Sequence, residues 1–129
     1  MSVIPAWLLL VFLPKQKITK AFVHSYLYPV LLGSLYVWLL VTSLGGEGGM
    51  DSLENLKLSF GRDEILVLGW VHYLAFDLFI GGWISRDSQT NGIQHLTIVP
   101  SLILTLFLGP VGLLSYLGLR IWHTKKWHL

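Results

Sequence analysis

The chain of 129 residues has no cysteine. Disulfides, thiolate nucleophiles and cysteine-ligated metals are excluded, and the redox compartment stays open. Charge is scarce too. Only 12% of residues are Asp, Glu, Lys or Arg, while 53% are hydrophobic. Soluble domains carry about 25% charged residues, so this composition cannot furnish a water-facing surface. An integral membrane protein is expected, in one domain over residues 1–129. The formal net charge of +2 is too small to imply a nucleic-acid partner. No nucleotide-binding glycine loop or nucleophile triad is present. No two histidines stand four apart, as metal ligands on one helix would. Residues 1–13 lack a basic leader and a small-residue cleavage site, and Pro14-Lys15 closes them, so no cleavable signal or transit peptide is expected.

What is abundant is apolar sequence, in four blocks. The first, 3–13, is too short for a bilayer, which needs about 20 apolar residues. Either it is a partial or interfacial segment or the native start lies upstream; a partial helix packed on the others is expected. The second, 26–44, reads as a span, with Pro29 in its first turn and Gly45-Gly46 at its end. The third runs over 64–84. The fourth, 93–122, is longer than a span needs and contains Pro100 and Gly109-Pro110, which predict a tilt or kink. In it Gly109, Gly112 and Ser115 are small residues three apart, a notch for another helix. Between the second and third blocks, "GGEGGMDSLENLKLSFGRDE" predicts a glycine turn. A short amphipathic helix should follow on the membrane surface, capped by Asp51 or Ser52. The expected fold is thus an all-α membrane bundle of about four helices, the first short, plus one surface helix.

Orientation is nearly balanced. Lys15, Lys17 and Lys20 make the first loop basic, but Arg120, Lys125 and Lys126 load the tail, which the three crossings of the second, third and fourth blocks put on the other side. The basic first loop is assigned to the inside, cytoplasm or plastid stroma.

The stretch "GWVHYLAFDLF", 69–79, places two ionisable groups where the chain is most apolar. On a helix with its midpoint near Leu74, His72 and Asp77 lie within roughly 5 Å of the middle. An aspartate at that depth costs about 2.5–3.5 kcal/mol on insertion scales and needs protonation, a donor or a wet cavity. Five positions at about 100° each set the two about 140° apart, so each meets a different neighbour or they flank a ligand wrapped round the helix. Asp77 shares its face with Trp70, Tyr73 and Gly81; His72 shares its face with Phe76, Phe79 and Trp83. The aromatic residues are candidates to line a site for a long apolar ligand; plain packing is the alternative. Arg86, Asp87 and His95 should gather at one membrane face, where they suit proton transfer or a salt-bridged loop. For His72 and Asp77 the plain alternative is hydrogen bonding between helices. No metal site is expected.

Trp70-x-His72-x-Leu74-Ala75-x-Asp77-Leu78-Phe79 resembles the central signature of a small membrane family, the abscisic-acid-deficient, neoxanthin-synthesis-like proteins. Arg86-Asp87, Gly92-Ile93-x-His95-Leu96, Pro100 and Phe107-x-Gly109-Pro110-x-Gly112-Leu113 are similar as well, as is "PAWLLLVFLP" before a basic loop. The resemblance covers nearly the whole chain. It implies a membrane protein of about four helices tied, in plants, to conversion of violaxanthin to neoxanthin, an isomerisation in which an epoxide opens and a proton is lost to form an allene. His72 is then the candidate base and Asp77 or Asp87 the candidate acid. Trp70, Tyr73, Phe76, Phe79, Trp83, Arg86 and His95 are candidates for holding substrate or pigment. The plant members' transit peptide has no counterpart here, which points to a bacterial or cyanobacterial relative. The alternative is a small accessory subunit of a photosynthetic complex, in which His72, His24 or His95 ligates a chlorophyll or the aromatics hold a carotenoid. A third reading is a structural membrane protein without catalysis. Expected partners are membrane lipid, a carotenoid or chlorophyll, and a larger photosynthetic complex or a second copy, but no nucleic acid. The expected location is a thylakoid or bacterial inner membrane.

Overall fold

The computed structural model of the chain describes residues 3–129. Among them all regular structure is helical: α1 (Ile4–Phe12), α2 (Lys17–Phe22), α3 (Leu27–Thr42), α4 (Leu53–Phe60), α5 (Asp63–Thr90) and α6 (His95–Thr124). Three stretches are long and apolar enough to cross a membrane: 17–42, which joins α2 to α3, then α5 and α6. The chain is therefore an all-helical membrane protein. It divides into two compact units, Met1–Leu27 with Phe76–Leu129, and Tyr28–Ala75.

In the first unit α1 is the expected partial helix. Its nine residues reach only about 14 Å at 1.5 Å each. Ala6, Trp7 and Leu10 are buried. The Trp7 ring fills the space above Gly81, where any added Cβ would come within 2.7 Å of it. α2 was not anticipated. "KITKAF" is basic and six residues long, and reads as loop. It forms because Thr19 is buried and its hydroxyl donates to the Leu13 carbonyl, tying α2 back to the end of α1.

α6 is the larger departure. The Gly109-Pro110 kink breaks the helix, with non-helical backbone at Leu108 and Gly109. Pro110 has no N–H to give the Leu106 carbonyl, and its ring disfavours helical geometry at the residue before it. Pro100 leaves the helix unbroken. The two arms, 95–107 and 110–124, fold back on one another. Ser115 Oγ donates to Ser101 Oγ at 2.9 Å. Fourteen residues along a straight helix would hold those atoms about 21 Å apart. A Cβ on Gly112 would collide with the Thr105 backbone and hydroxyl. The notch of small residues does admit a close neighbour, and that neighbour is the same helix's first arm.

In the second unit α3 keeps only Leu32 buried. The glycine turn holds Gly48 at φ +112°, and Ser59 occupies the space where a side chain would lie. Ser52 caps α4, accepting from the Asn55 N–H at 3.1 Å. Asn55 Nδ2 also donates to Asp51 Oδ1 at 2.9 Å, which holds the Asp51 carboxyl below its ordinary range. Arg62 donates to the Ser43 carbonyl at 3.2 Å and pairs with Glu64 at 2.9 Å, closing the loop between α3 and α5.

Candidate functional site

The polar interior of the first unit is built where α5 meets the α6 hairpin. Asp87 lies in the last turns of α5, half-buried. Tyr116 and Arg120, four apart on the second arm of α6 and so on one face, both reach it. Tyr116 Oη donates to Asp87 Oδ2 at 2.5 Å, and Arg120 Nε donates to the same oxygen at 2.7 Å. Arg120 Nη1 donates further to the His128 carbonyl at 3.0 Å. The Tyr116 side chain is fully buried and its ring meets the edge of Trp83, centroids 5.5 Å apart. Asp87 and Arg120 thus form an ion pair largely shut from solvent. An ionised carboxylate only accepts hydrogen bonds, and here one oxygen already accepts two.

Asp77 lies ten residues earlier on α5, about 15 Å deeper along the helix. Its side chain is 9% exposed. It faces the apex of the hairpin: a Cβ on Gly109 would lie 2.6 Å from Asp77 Oδ1. The break in α6 and the glycine at it therefore make room for a carboxyl group in mid-segment. One device explains both sequence oddities, the buried acid and the Gly-Pro pair.

The other candidates disperse. His72 belongs to the second unit, is exposed, and packs its ring on Tyr36 at 5.6 Å between centroids. Trp70 and Tyr73 stack on each other at 5.7 Å. Trp70, Phe76 and Phe79 are exposed. In the first unit Trp83 turns its ring to Tyr116. Arg86, Asp87 and His95 do lie at one end of the first unit but have separate partners. Arg86 Nη1 donates to His24 Nδ1 at 3.5 Å, and His95 Nε2 donates to the Val11 carbonyl at 2.6 Å. That bond pins the end of α1 to the start of α6 and commits one ring nitrogen of His95.

Reading the sequence missed Tyr116, Arg120 and Trp7 as parts of this arrangement. Arg120 had a signal: a guanidinium inside an apolar block needs an acid, and Asp87 was at hand. An open apolar groove of about 620 Å³ runs along α3 past Val30, Gly33, Val37 and Trp38; no ionisable side chain lines it. Among the described residues no three His, Asp or Glu side chains converge as metal ligands would.

The model of one family, the ABA DEFICIENT 4-like proteins, matches residues 1–116. The chain belongs to that family. The matched stretch takes in His72, Asp77, Asp87 and Tyr116. Protein ABA DEFICIENT 4, chloroplastic, of Arabidopsis thaliana is 30% identical over 124 residues, which cover 89% of this chain and 55% of that protein. The chain thus spans about half the length of the relative it matches. No solved structure matches it.

Proposed function

We propose that this chain acts in the membrane on a carotenoid or similar long isoprenoid, by acid–base isomerisation of the kind an epoxy-carotenoid undergoes. The observation that carries this reading is Asp77. An acid within the matched stretch stands in an apolar helix, and a break in α6 with a glycine at its apex accommodates its carboxyl. Helix packing alone does not require an ionisable group there, and such a group in mid-membrane marks function by default.

The chemistry is self-contained. An epoxide C–O bond breaks and its oxygen takes a proton to become a hydroxyl. A neighbouring carbon loses a proton, and that electron pair forms the new double bond. One proton is given and one is taken, so no cofactor or external reagent enters. Asp77 is assigned the acid. Asp87 serves the fold instead, because its ion pair with Arg120 and its bond from Tyr116 leave it an acceptor. His72, exposed in the second unit, is the candidate base that the resemblance implies. The test is to incubate the full-length protein in lipid vesicles with violaxanthin and separate the pigments by chromatography. Conversion by the wild type and its loss in Asp77→Asn support the reading. Equal turnover in a folded, inserted Asp77→Asn removes the acid assignment, and no turnover of any epoxy-carotenoid removes the reaction.

One observation favours a second reading. His72 is an exposed imidazole beside an aromatic ring, as a chlorophyll-ligating histidine in an accessory photosynthetic subunit would be. An absorption spectrum of the gently purified protein separates the two. A chlorophyll band lost in His72→Ala supports pigment ligation, and a preparation without chlorophyll dismisses it.

A further inference from the structure

A helix of 30 residues such as α6 is long enough to cross a bilayer once. Its geometry points elsewhere. Each arm, 95–107 or 110–124, is about 20 Å long at 1.5 Å per residue, against about 30 Å of hydrocarbon. The Ser115–Ser101 bond and the Gly112–Thr105 contact both centre on the break at Leu108-Gly109, as the two strokes of a hairpin must. The two ends of α6 also meet the same neighbourhood. Ile93, two residues before α6 begins, donates its N–H to the Ser88 carbonyl at 2.9 Å, and Arg120, near its finish, is bonded to Asp87, the residue before Ser88 on α5. Irregular backbone at membrane depth must be packed on protein; at the break Gly109 is buried against Asp77 of α5, while the Phe107, Leu108 and Pro110 side chains stay exposed.

We infer that α6 enters and leaves the membrane on one face, and that the first unit thereby presents one basic rim to the anionic lipid headgroups of that face. The residues that assemble there are Lys15, Lys17 and Lys20, between Val11 on His95 and His24 on Arg86; Arg86 itself; and Lys125 and Lys126, just past Arg120. The lysines and Arg86 are exposed. Asp87 is the sole acid at that end, and Arg120 neutralises it. Read as a single span, α6 carries the tail away from the first loop and the positive-inside count cancels. Folded back, it returns the tail to the same side and the counts add. The rim then belongs on the cytoplasmic or stromal leaflet, where anionic headgroups attract basic residues.

The absence of cysteine makes the test direct. Single-cysteine forms of the full chain, Gln16→Cys, Gln94→Cys and Trp127→Cys, all at exposed positions, are made in a bacterial inner membrane and treated with a membrane-impermeant maleimide. All three should be silent in intact spheroplasts and labelled after lysis. Labelling of Gln94→Cys and Trp127→Cys from opposite sides would show α6 crossing once and overturn the inference. Labelling of all three from outside would overturn the assigned face. For the lipid, the purified chain is placed in phosphatidylcholine vesicles holding a few per cent of dansyl-phosphatidylglycerol, and energy transfer from tryptophan is read. Replacing Lys15, Lys17, Lys125 and Lys126 by Gln should cut the excess transfer over a dansyl-phosphatidylcholine control several-fold. No excess in the wild type would contradict the headgroup contact.

Discussion

Arg120 is the side chain on which the polar interior depends most. Cutting it to Ala leaves the Asp87 charge without its counter-ion in a largely closed setting, a loss worth about 3–5 kcal/mol where such a pair is fully buried. Arg120→Ala should therefore lower the thermal midpoint of the detergent-solubilised protein more than any other single change in the cluster. Replacing Asp87 and Arg120 together by Leu should cost less than either single change, because the unpaired charge is then gone. A double variant as unstable as the sum of the singles would show that the two residues act apart. Tyr116→Phe removes one donor to a charged acceptor, about 1.5–3 kcal/mol, and should fall between wild type and Arg120→Ala on the same scale.

Gly109 and Gly112 fix the hairpin. Ala at Gly109 pushes a methyl into Asp77, and Ala at Gly112 into the Thr105 backbone, which cannot step aside. Gly112→Ala should destabilise the fold at least as strongly as Ser101→Ala, which gives up only one hydroxyl bond; the reverse order in thermal unfolding would mean that the arms are not in contact. In the second unit Ser52→Ala should lower the helicity of a peptide covering 49–62, by about 0.5–2 kcal/mol of helix stability. Much at this scale was legible in the sequence. Length and apolarity marked the spans, the cap of α4 was narrowed to Asp51 or Ser52, of which the structure uses Ser52, and the shortness of the first block marked α1 as partial. The hairpin was not read, because Gly109-Pro110 signals a kink of any angle and small residues three apart do not name the partner they admit. The clue was the mirror placement of Ser101 and Thr105 against Ser115 and Gly112 about Leu108-Gly109. α2 escaped because what folds it is one buried threonine rather than any periodicity. His72 meets Tyr36 and Asp77 meets Gly109, neighbours set by tertiary packing that periodicity does not carry.

Across the whole chain, charge is sorted. Of the nine Lys and Arg residues all but Lys57 and Arg62 fall in the first unit, whose only acids are Asp77 and Asp87. Glu47, Asp51, Glu54, Asp63 and Glu64 all fall in the second. On the inferred topology this sorting sets the orientation, so replacing Lys15, Lys17 and Lys20 by Gln should raise the share of chains inserted the wrong way round, read as external labelling of Trp127→Cys. No change in that share would mean that another signal sets the topology. The deeper question is whether the apolar body with its one mid-membrane acid handles a carotenoid. The most direct answer comes from deleting the gene in its native host and separating the total carotenoids by chromatography. One carotenoid should disappear while its isomer accumulates, and the wild-type gene should restore the profile where Asp77→Asn does not. A carotenoid profile unchanged by the deletion would contradict the proposed function.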